Sequence, residues 1–144
     1  MKVKFKSQSG AAAVEFALVL PILAMLVFGI IEFSFALYDK AMITNASREG
    51  ARAGIVYKVD SDGNWSPLTP GEITTIVNNY LKNYLITFGG SPNATVTVKS
   101  IGSSPGGELT VTVTYPYTFL VLPKFITGLT GAINLSAETV MRME

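Results

Sequence analysis

The residue with the clearest chemical consequence is Glu15, a carboxylate that interrupts an otherwise apolar stretch. No charged residue occurs from Phe16 to Ile31, and residues 11–14 extend the apolar stretch on the other side of Glu15. An acidic side chain within a membrane segment is costly, and such residues are functional by default. Glu15 lies near the start of the stretch, where the cost is smaller, but we still expect it to need a partner.

A cut after Gly10 would create a suitable partner. Hydrolysis of the bond between Gly10 and Ala11 would leave an α-amine on Ala11, four residues before Glu15. Residues four apart lie on the same face of a helix. The amine of this chain, or that of a neighbouring copy, could therefore neutralise the carboxylate.

The rest of the composition gives little support to an enzyme. The 144 residues contain no Cys and no His, which removes thiolate metal ligands, disulfides and the commonest general base. The formal net charge is only +1, no phosphate-binding Walker A loop occurs, and aromatic residues do not alternate with basic ones. We therefore expect no catalytic activity, no cofactor and no nucleic-acid partner.

One stretch begins like a calcium-binding loop. Asp60, Asp62 and Asn64 alternate as the first ligands of such a loop do, but Gly63 stands fourth rather than sixth and Gly71 occupies the twelfth position, where Glu is required. A solvated turn explains the stretch better, and we expect no metal.

The element that positions Glu15 is predicted to be a helix long enough to cross a membrane. About 20 helical residues span the hydrocarbon core of a bilayer, and residues 11–31 contain no charge other than Glu15. Residues 1–10 contain three basic side chains and no acid, whereas residues 11–144 contain eight basic and ten acidic ones. The tendency of basic residues to remain inside the cell places the N-terminus in the cytoplasm and the remainder outside it.

Two other interpretations of this segment stay open. A secretory signal peptide could be cut near Ser34-Phe35-Ala36, but the apolar stretch exceeds the 7–15 residues typical of such peptides. The segment could also be a plain uncleaved anchor. The chain would then be a single-pass membrane protein whose outer domain binds a ligand or a partner.

Beyond the apolar stretch the pattern stays helical to about Tyr57 and becomes amphipathic. Ala46, Gly50 and Gly54 fall on one stripe of this stem. Small residues allow another backbone to approach closely, and two glycines in five residues suggest packing that offsets their cost to the helix. The stripe is predicted to dock either on the chain's own sheet or on a neighbouring subunit.

The remaining residues predict a small outer domain that begins with a loop and a second helix. Residues 58–70 have a loop composition, and we expect Trp65 to be partly buried beneath it. Thr69-Pro70-Gly71-Glu72 form a capping box with Pro at the first helical position. The helix should run to about Thr87 and end at Gly89-Gly90.

After these glycines the hydrophobic period changes to two. Ala94–Lys99 and Leu109–Tyr115 each alternate between apolar and polar residues across a glycine-rich turn, which predicts a hairpin with one apolar face. Pro116 and Pro123 are expected to break the apolar segment that follows, and a last strand is predicted from Ile133 to Met141. A long helix, a second helix and an antiparallel sheet of three or four strands make an α+β fold.

The N-terminal third carries a more specific resemblance. "GAAAVEFALVLPILAMLVFGIIEFSFALYDKAMITNASREGARAG", Gly10 to Gly54, resembles the TadE-like minor pilins of tight-adherence pilus systems. The shared features are the Gly-Ala-rich entry, the Val-Glu-Phe-Ala run, the internal Pro21 and the exit motif, which here reads Ala-Ser-Arg-Glu-Gly-Ala-Arg over residues 46–52.

The resemblance implies a role for each part of the chain. Residues 1–10 would be a prepilin leader, residues 11–57 the transmembrane and stem helix of a pilin-like fold, and residues 58–144 the extracytoplasmic domain. The prepilin peptidase would cut after Gly10, and Glu15 would set each subunit in register. Pro21 would kink the helix, either as a tolerated bend or as a flexible point for leaving the bilayer.

The implied partners follow from these roles. They are the prepilin peptidase, the major pilin, other minor pilins and the cytoplasmic membrane, and the N-terminal helix could also associate with copies of itself. The implied location is the cytoplasmic membrane, crossed once, with the pilus as a second location.

Overall fold

The computed structural model describes residues 9–59, 62–88, 93–101, 106–119 and 133–143. It confirms an α+β architecture with a long N-terminal helix, one further helix and small antiparallel sheets. The elements in chain order are α1 Ser9–Gly54, β1 Tyr57–Val59, β2 Trp65–Pro67, α2 Pro70–Tyr84, β3 Thr95–Ile101, β4 Glu108–Tyr117 and β5 Ile133–Arg142.

Helix α1 has 46 residues and would measure about 69 Å at 1.5 Å per residue. Its first part exposes its apolar side chains, whereas buried residues occur only from Glu32 onward. The helix ends at Gly54, and Tyr57 is the first residue of β1 rather than the last of the stem. The predicted end was therefore about three residues too late, because pairing with β2 takes over at Tyr57.

The loop predicted over residues 58–70 instead contains most of β1 and all of β2. β1 and β2 pair antiparallel as a two-stranded ribbon, with Val59 opposite Trp65. Gly63, at φ +82°, adopts a turn conformation that side chains disfavour. The expected burial of Trp65 is also wrong, since its side chain is 72% exposed. A ribbon of two short strands offers few neighbours that could cover it.

Helix α2 begins as its capping box predicts. The Thr69 hydroxyl accepts from the Glu72 N–H at 3.3 Å, and the Glu72 carboxylate accepts from the Thr69 N–H at 2.8 Å. The helix ends at Tyr84, three residues before the predicted end, because Leu85 takes an extended conformation at φ −77° and ψ 136°. The predicted stop at Gly89-Gly90 lies outside the described residues.

The second sheet contains three strands in the order β3-β4-β5, all antiparallel. The predicted hairpin and the predicted last strand are both present. Pro116 does not break β4, which continues to Tyr117 and pairs Pro116 with Asn134 of β5. The ladder with β3 stops at Thr114. At Pro116 the strand therefore has a partner on one side only, a position where the missing N–H of Pro is tolerated.

The core lies between the sheet and the two helices. Leu109, Val111 and Val113 alternate along the buried face of β4, with polar residues between them, as the period of two predicts. The second half of α1 packs against β4, β5 and α2, while α2 also contacts β3. Buried side chains from the helices, and Leu85 just after α2, complete this core: Ile43, Ala46, Ala51, Ile73, Val77, Leu81 and Leu85.

Candidate functional site

The first turns of α1 carry the residues that the sequence singles out for processing and assembly. Gly10, Ala11 and Glu15 are all exposed, and a Cβ added at Gly10 would meet no atom within 4 Å. Ala11 and Glu15 are one turn apart within the same helix. The Gly10–Ala11 bond lies in the first turn, where the N–H groups have no helical partner, so little helix would have to unwind to present it.

The apolar segment that follows Glu15 stands free of the outer domain in the described chain. None of the side chains in its most apolar 18-residue window is buried, and α1 is long and apolar enough to cross a membrane. Pro21 lies within this segment, and α1 continues through it as one helix. The missing N–H of Pro21 leaves the Ala17 carbonyl without its usual partner. The kink remains a prediction.

The small-residue stripe of the stem faces the chain's own outer domain. Ala46 is fully buried, and Gly50 and Gly54 are also buried. A Cβ on Gly50 would press into Val77 of α2, and a Cβ on Gly54 would lie 2.6 Å from Cδ1 of Ile73. The stripe thus lets α1 approach α2 and β4 closely. Of the two contacts predicted for the stripe, the structure shows the one with the chain's own fold.

The charged residues of the exit motif point away from this contact. Arg48, Glu49 and Arg52 are exposed on α1, between the buried small residues. The motif therefore divides into a packing face of Ala and Gly and a solvent face of charges.

Two acids after the apolar segment are buried rather than solvated. Glu32 is 1% exposed, and its Oε1 accepts a hydrogen bond of 2.9 Å from the Tyr117 hydroxyl, which also lies 3.3 Å from the Glu32 carbonyl oxygen. Burial, and then the hydrogen bond and charge of Glu32, raise the pKa of Tyr117 far above its ordinary value. Tyr117 therefore remains a donor at any physiological pH.

Asp39 lies two helical turns beyond Glu32 and is fully buried. Its Oδ1 accepts a hydrogen bond of 3.0 Å from the Ile86 N–H, just past the end of α2, and its Oδ2 has no hydrogen-bond partner within the described structure. Burial and the nearby Asp39 charge raise the pKa of Tyr115. Together Glu32 and Asp39 fix the lower part of the stem to β4 and to the exit of α2.

A third acid, Glu72, connects α2 to the β1–β2 ribbon. Lys58 of β1 forms an ion pair with Glu72 in the first turn of α2. The Lys58 hydrogen bond, followed by the two bonds from Thr69, lowers the pKa of Glu72 to about 2. This pair holds the β1–β2 ribbon against the N-terminus of α2.

Glu32 and Asp39 were not singled out from the sequence. Their seven-residue spacing puts them on one face of α1 and was the available signal. In the stretch that begins like a calcium-binding loop, for which a solvated turn was expected, Asp62 and Asn64 are exposed and Asp60 lies outside the described residues. Within the described ranges no group of three metal-ligating acids occurs.

Comparison with known proteins agrees with the resemblance read from the sequence. A family model described as TadE-like protein matches residues 10–52, from the glycine of the candidate cut to the last arginine of the exit motif. No curated protein and no solved structure shows significant similarity to the chain. This N-terminal segment, which is less than half of the chain, is thus similar to TadE-like proteins.

Proposed function

We propose that this chain is a minor pilin, or pseudopilin, that the prepilin peptidase cuts after Gly10 and that then takes part in assembly of a tight-adherence pilus. The observation that carries the proposal is the family match, which begins at Gly10 and includes Glu15 and the exit motif. The exposed first turns of α1 support it, because peptidase and neighbouring subunits could reach them.

The structure supports separate roles for successive segments of the chain. Residues 11–31 would anchor the protein in the cytoplasmic membrane with residues 1–10 inside the cell. The stem and outer domain, which form one packed unit through Ala46, Gly50 and Gly54, would lie outside. Major pilin and other minor pilins would meet the free N-terminal part of α1, where Glu15 and the new amine of Ala11 can pair between copies.

N-terminal sequencing and intact mass of the chain, expressed with the prepilin peptidase, test the processing step. We expect a mature chain that starts at Ala11. A chain that still starts at Met1 would instead support an uncleaved single-pass binding protein.

Two glycine variants sharpen this measurement. Gly10→Leu should block the cut, because a side chain would be placed at the scissile bond. Gly29→Leu is the matched control, since Gly29 lies in the same helix and a Cβ there also meets no atom within 4 Å. Equal processing of the two variants would contradict the role of Gly10.

Orientation can be tested without background labelling, because the chain has no Cys. A single Cys at the exposed Lys99 should react with a membrane-impermeant maleimide added to intact spheroplasts. In cells without the prepilin peptidase, where residues 1–10 stay attached, Lys4→Cys should react only after the membrane is permeabilised.

A further inference from the structure

Exposed apolar side chains of α1 and of the exit of α2 lie just beyond the apolar segment. Phe33 is 62% exposed and Leu37 is 63% exposed, both within two turns of the apolar segment. Phe88, which is half-exposed, stacks edge-on against Phe35 with ring centroids 5.1 Å apart. Phe88 thus brings the exit of α2 to the same level. The structure next to the apolar segment therefore presents an exposed apolar surface.

This surface includes a groove of about 480 Å³ between α1 and the β4–β5 edge. The α1 wall begins at Phe33, two residues after the last residue of the apolar segment, so the groove continues the apolar surface of the anchor. Its lining is mainly apolar and aromatic, contributed by Phe33, Ala36, Leu37, Tyr117, Phe119, Ile133 and Leu135. The volume lies within the range of about 300–1,000 Å³ that ligand pockets occupy.

One charge stands at this groove. Among the described residues of its lining, Lys40 alone is charged, and its ammonium group donates to the Ser136 carbonyl oxygen. That bond uses one of the three donors of an ammonium group, and Lys40 remains exposed. The groove therefore combines an apolar trough that starts at the anchor with a cation farther from it.

We propose that this groove binds one acyl chain of a phospholipid from the adjoining membrane leaflet, with Lys40 beside the lipid phosphate. An apolar groove rimmed by a single cation matches a lipid tail with an anionic head. Phospholipid is also the molecule that surrounds the neighbouring anchor. The inference rests on the membrane anchoring in the proposed function and adds a ligand that the family match does not assign.

Lipid retention by the full-length chain tests the proposal. The protein is reconstituted in nanodiscs of phosphatidylcholine with one-fifth phosphatidylglycerol, extracted in mild detergent, and analysed by native mass spectrometry and phosphorus assay. We expect one retained phospholipid per chain, enriched in phosphatidylglycerol. Ala36→Trp should fill the groove and remove the lipid. Val140→Trp, on the exposed face of β5, is the control and should retain it.

Lys40→Gln tests the head-group contact. We expect it to lower the preference for phosphatidylglycerol over phosphatidylcholine roughly fivefold, as loss of one basic residue near an anionic lipid surface would. Lys99→Gln removes an equal charge from the exposed face of β3 and should change nothing. Equal lipid preference in both variants would overturn the role of Lys40.

A fluorescence measurement distinguishes the groove from general closeness to the membrane. The chain has a single Trp, so Trp65→Phe gives a silent background. In that background, a Trp at Leu37 should be quenched by the brominated acyl chain that stays bound in detergent. The quenching should disappear when Ala36 is also replaced by Leu, which narrows the groove. Persistent quenching would overturn the proposal.

The outcomes separate this inference from the proposed function. A chain that is anchored in membranes and starts at Ala11, yet retains no phospholipid, would leave the pilin proposal standing and overturn the lipid site. A lower melting temperature of Ala36→Trp with no change in bound phosphorus would overturn the lipid site. A chain that does not partition into membranes would overturn both.

Discussion

The hydroxyl of Tyr117 donates a hydrogen bond of 2.9 Å to the carboxylate of Glu32, joining residues 85 positions apart. Glu32 is the first charged residue after the apolar part of α1, and Tyr117 is the last residue of β4. The bond therefore fixes the outer domain to the stem at the point where α1 would leave the membrane. An acid that looks like a simple membrane boundary is instead part of the packing between helix and sheet.

Tyr117→Phe should weaken this junction. The substitution keeps the buried ring but removes a donor to a charged acceptor, and we expect the free energy of unfolding to fall by about 1.5–3 kcal/mol. Denaturant unfolding of the protein in detergent, followed by near-UV circular dichroism, measures the change. Tyr84→Phe is the control, because Tyr84 is 51% exposed, and it should alter stability little. A wild-type unfolding curve for Tyr117→Phe would show that the bond does not support the fold.

Gly50→Ala should also destabilise the chain, although alanine favours helices. Its Cβ would press into Cγ2 of Val77, a branched side chain that cannot easily turn away. Overpacking of about 1–3 kcal/mol would exceed the roughly 1 kcal/mol that Ala contributes to a helix, so we expect a net loss.

Gly71→Ala provides the comparison for this prediction. Gly71 lies in the first turn of α2, is exposed, and would place its Cβ in open space. Alanine there should leave the melting temperature unchanged or raise it. If both variants behave alike, close packing at Gly50 is not the reason for its glycine.

The parts of the fold that local pattern encodes were predictable from sequence. The helical period and the capping box located both helices, and alternation located β3, β4 and β5. The errors arose where pairing with residues distant in the sequence decides the local structure. Pro116 stays within β4 because β5 pairs with it, and Tyr57 leaves the stem because β2 pairs with it.

The candidate site also has residues that the sequence reveals and contacts that it does not. Gly10, Glu15 and the small-residue stripe are visible in the sequence, since their spacing alone makes them unusual. Burial of Glu32 depends on Tyr117, and the position of Asp39 depends on the Ile86 N–H, 47 residues away. No local pattern contains these contacts. The predicted burial of Trp65 was wrong, because burial would have required an element that covers its side chain, and the β1–β2 ribbon has none.

Acid should loosen the contact between the β1–β2 ribbon and α2. The pKa of Glu72 is lowered to about 2 from 4.5, so the folded state binds fewer protons than the unfolded state between these values. The stabilisation from Glu72 is therefore complete above about pH 4.5 and is lost as the pH falls toward 2. Salt should weaken it, because both partners are partly exposed.

Glu72→Gln measures this contribution. The variant cannot ionise, so its unfolding free energy should depend less on pH between about 4.5 and 2 than that of the parent chain. Glu138→Gln, which removes an exposed acid from β5, controls for the loss of one negative charge. Parallel pH profiles for Glu72→Gln and the parent would show that the ion pair does not contribute in solution.

Glu15→Ala should permit insertion and cleavage but damage assembly. The proposed cleavage site lies five residues earlier, in the first turn of α1, so removal of the carboxylate should leave it intact. What disappears is the charge that would pair with the Ala11 amine of the same or a neighbouring copy, at a depth where an unpaired amine is costly. We expect mature chain in membranes and a severe loss of sheared pili, measured by immunoblot of membrane and pilus fractions.

Glu49→Ala removes an exposed acid from the stem of the same helix and should support normal piliation. Normal piliation with Glu15→Ala would exclude the pairing of Glu15 with the new amine, and a block of cleavage would place Glu15 in peptidase recognition instead.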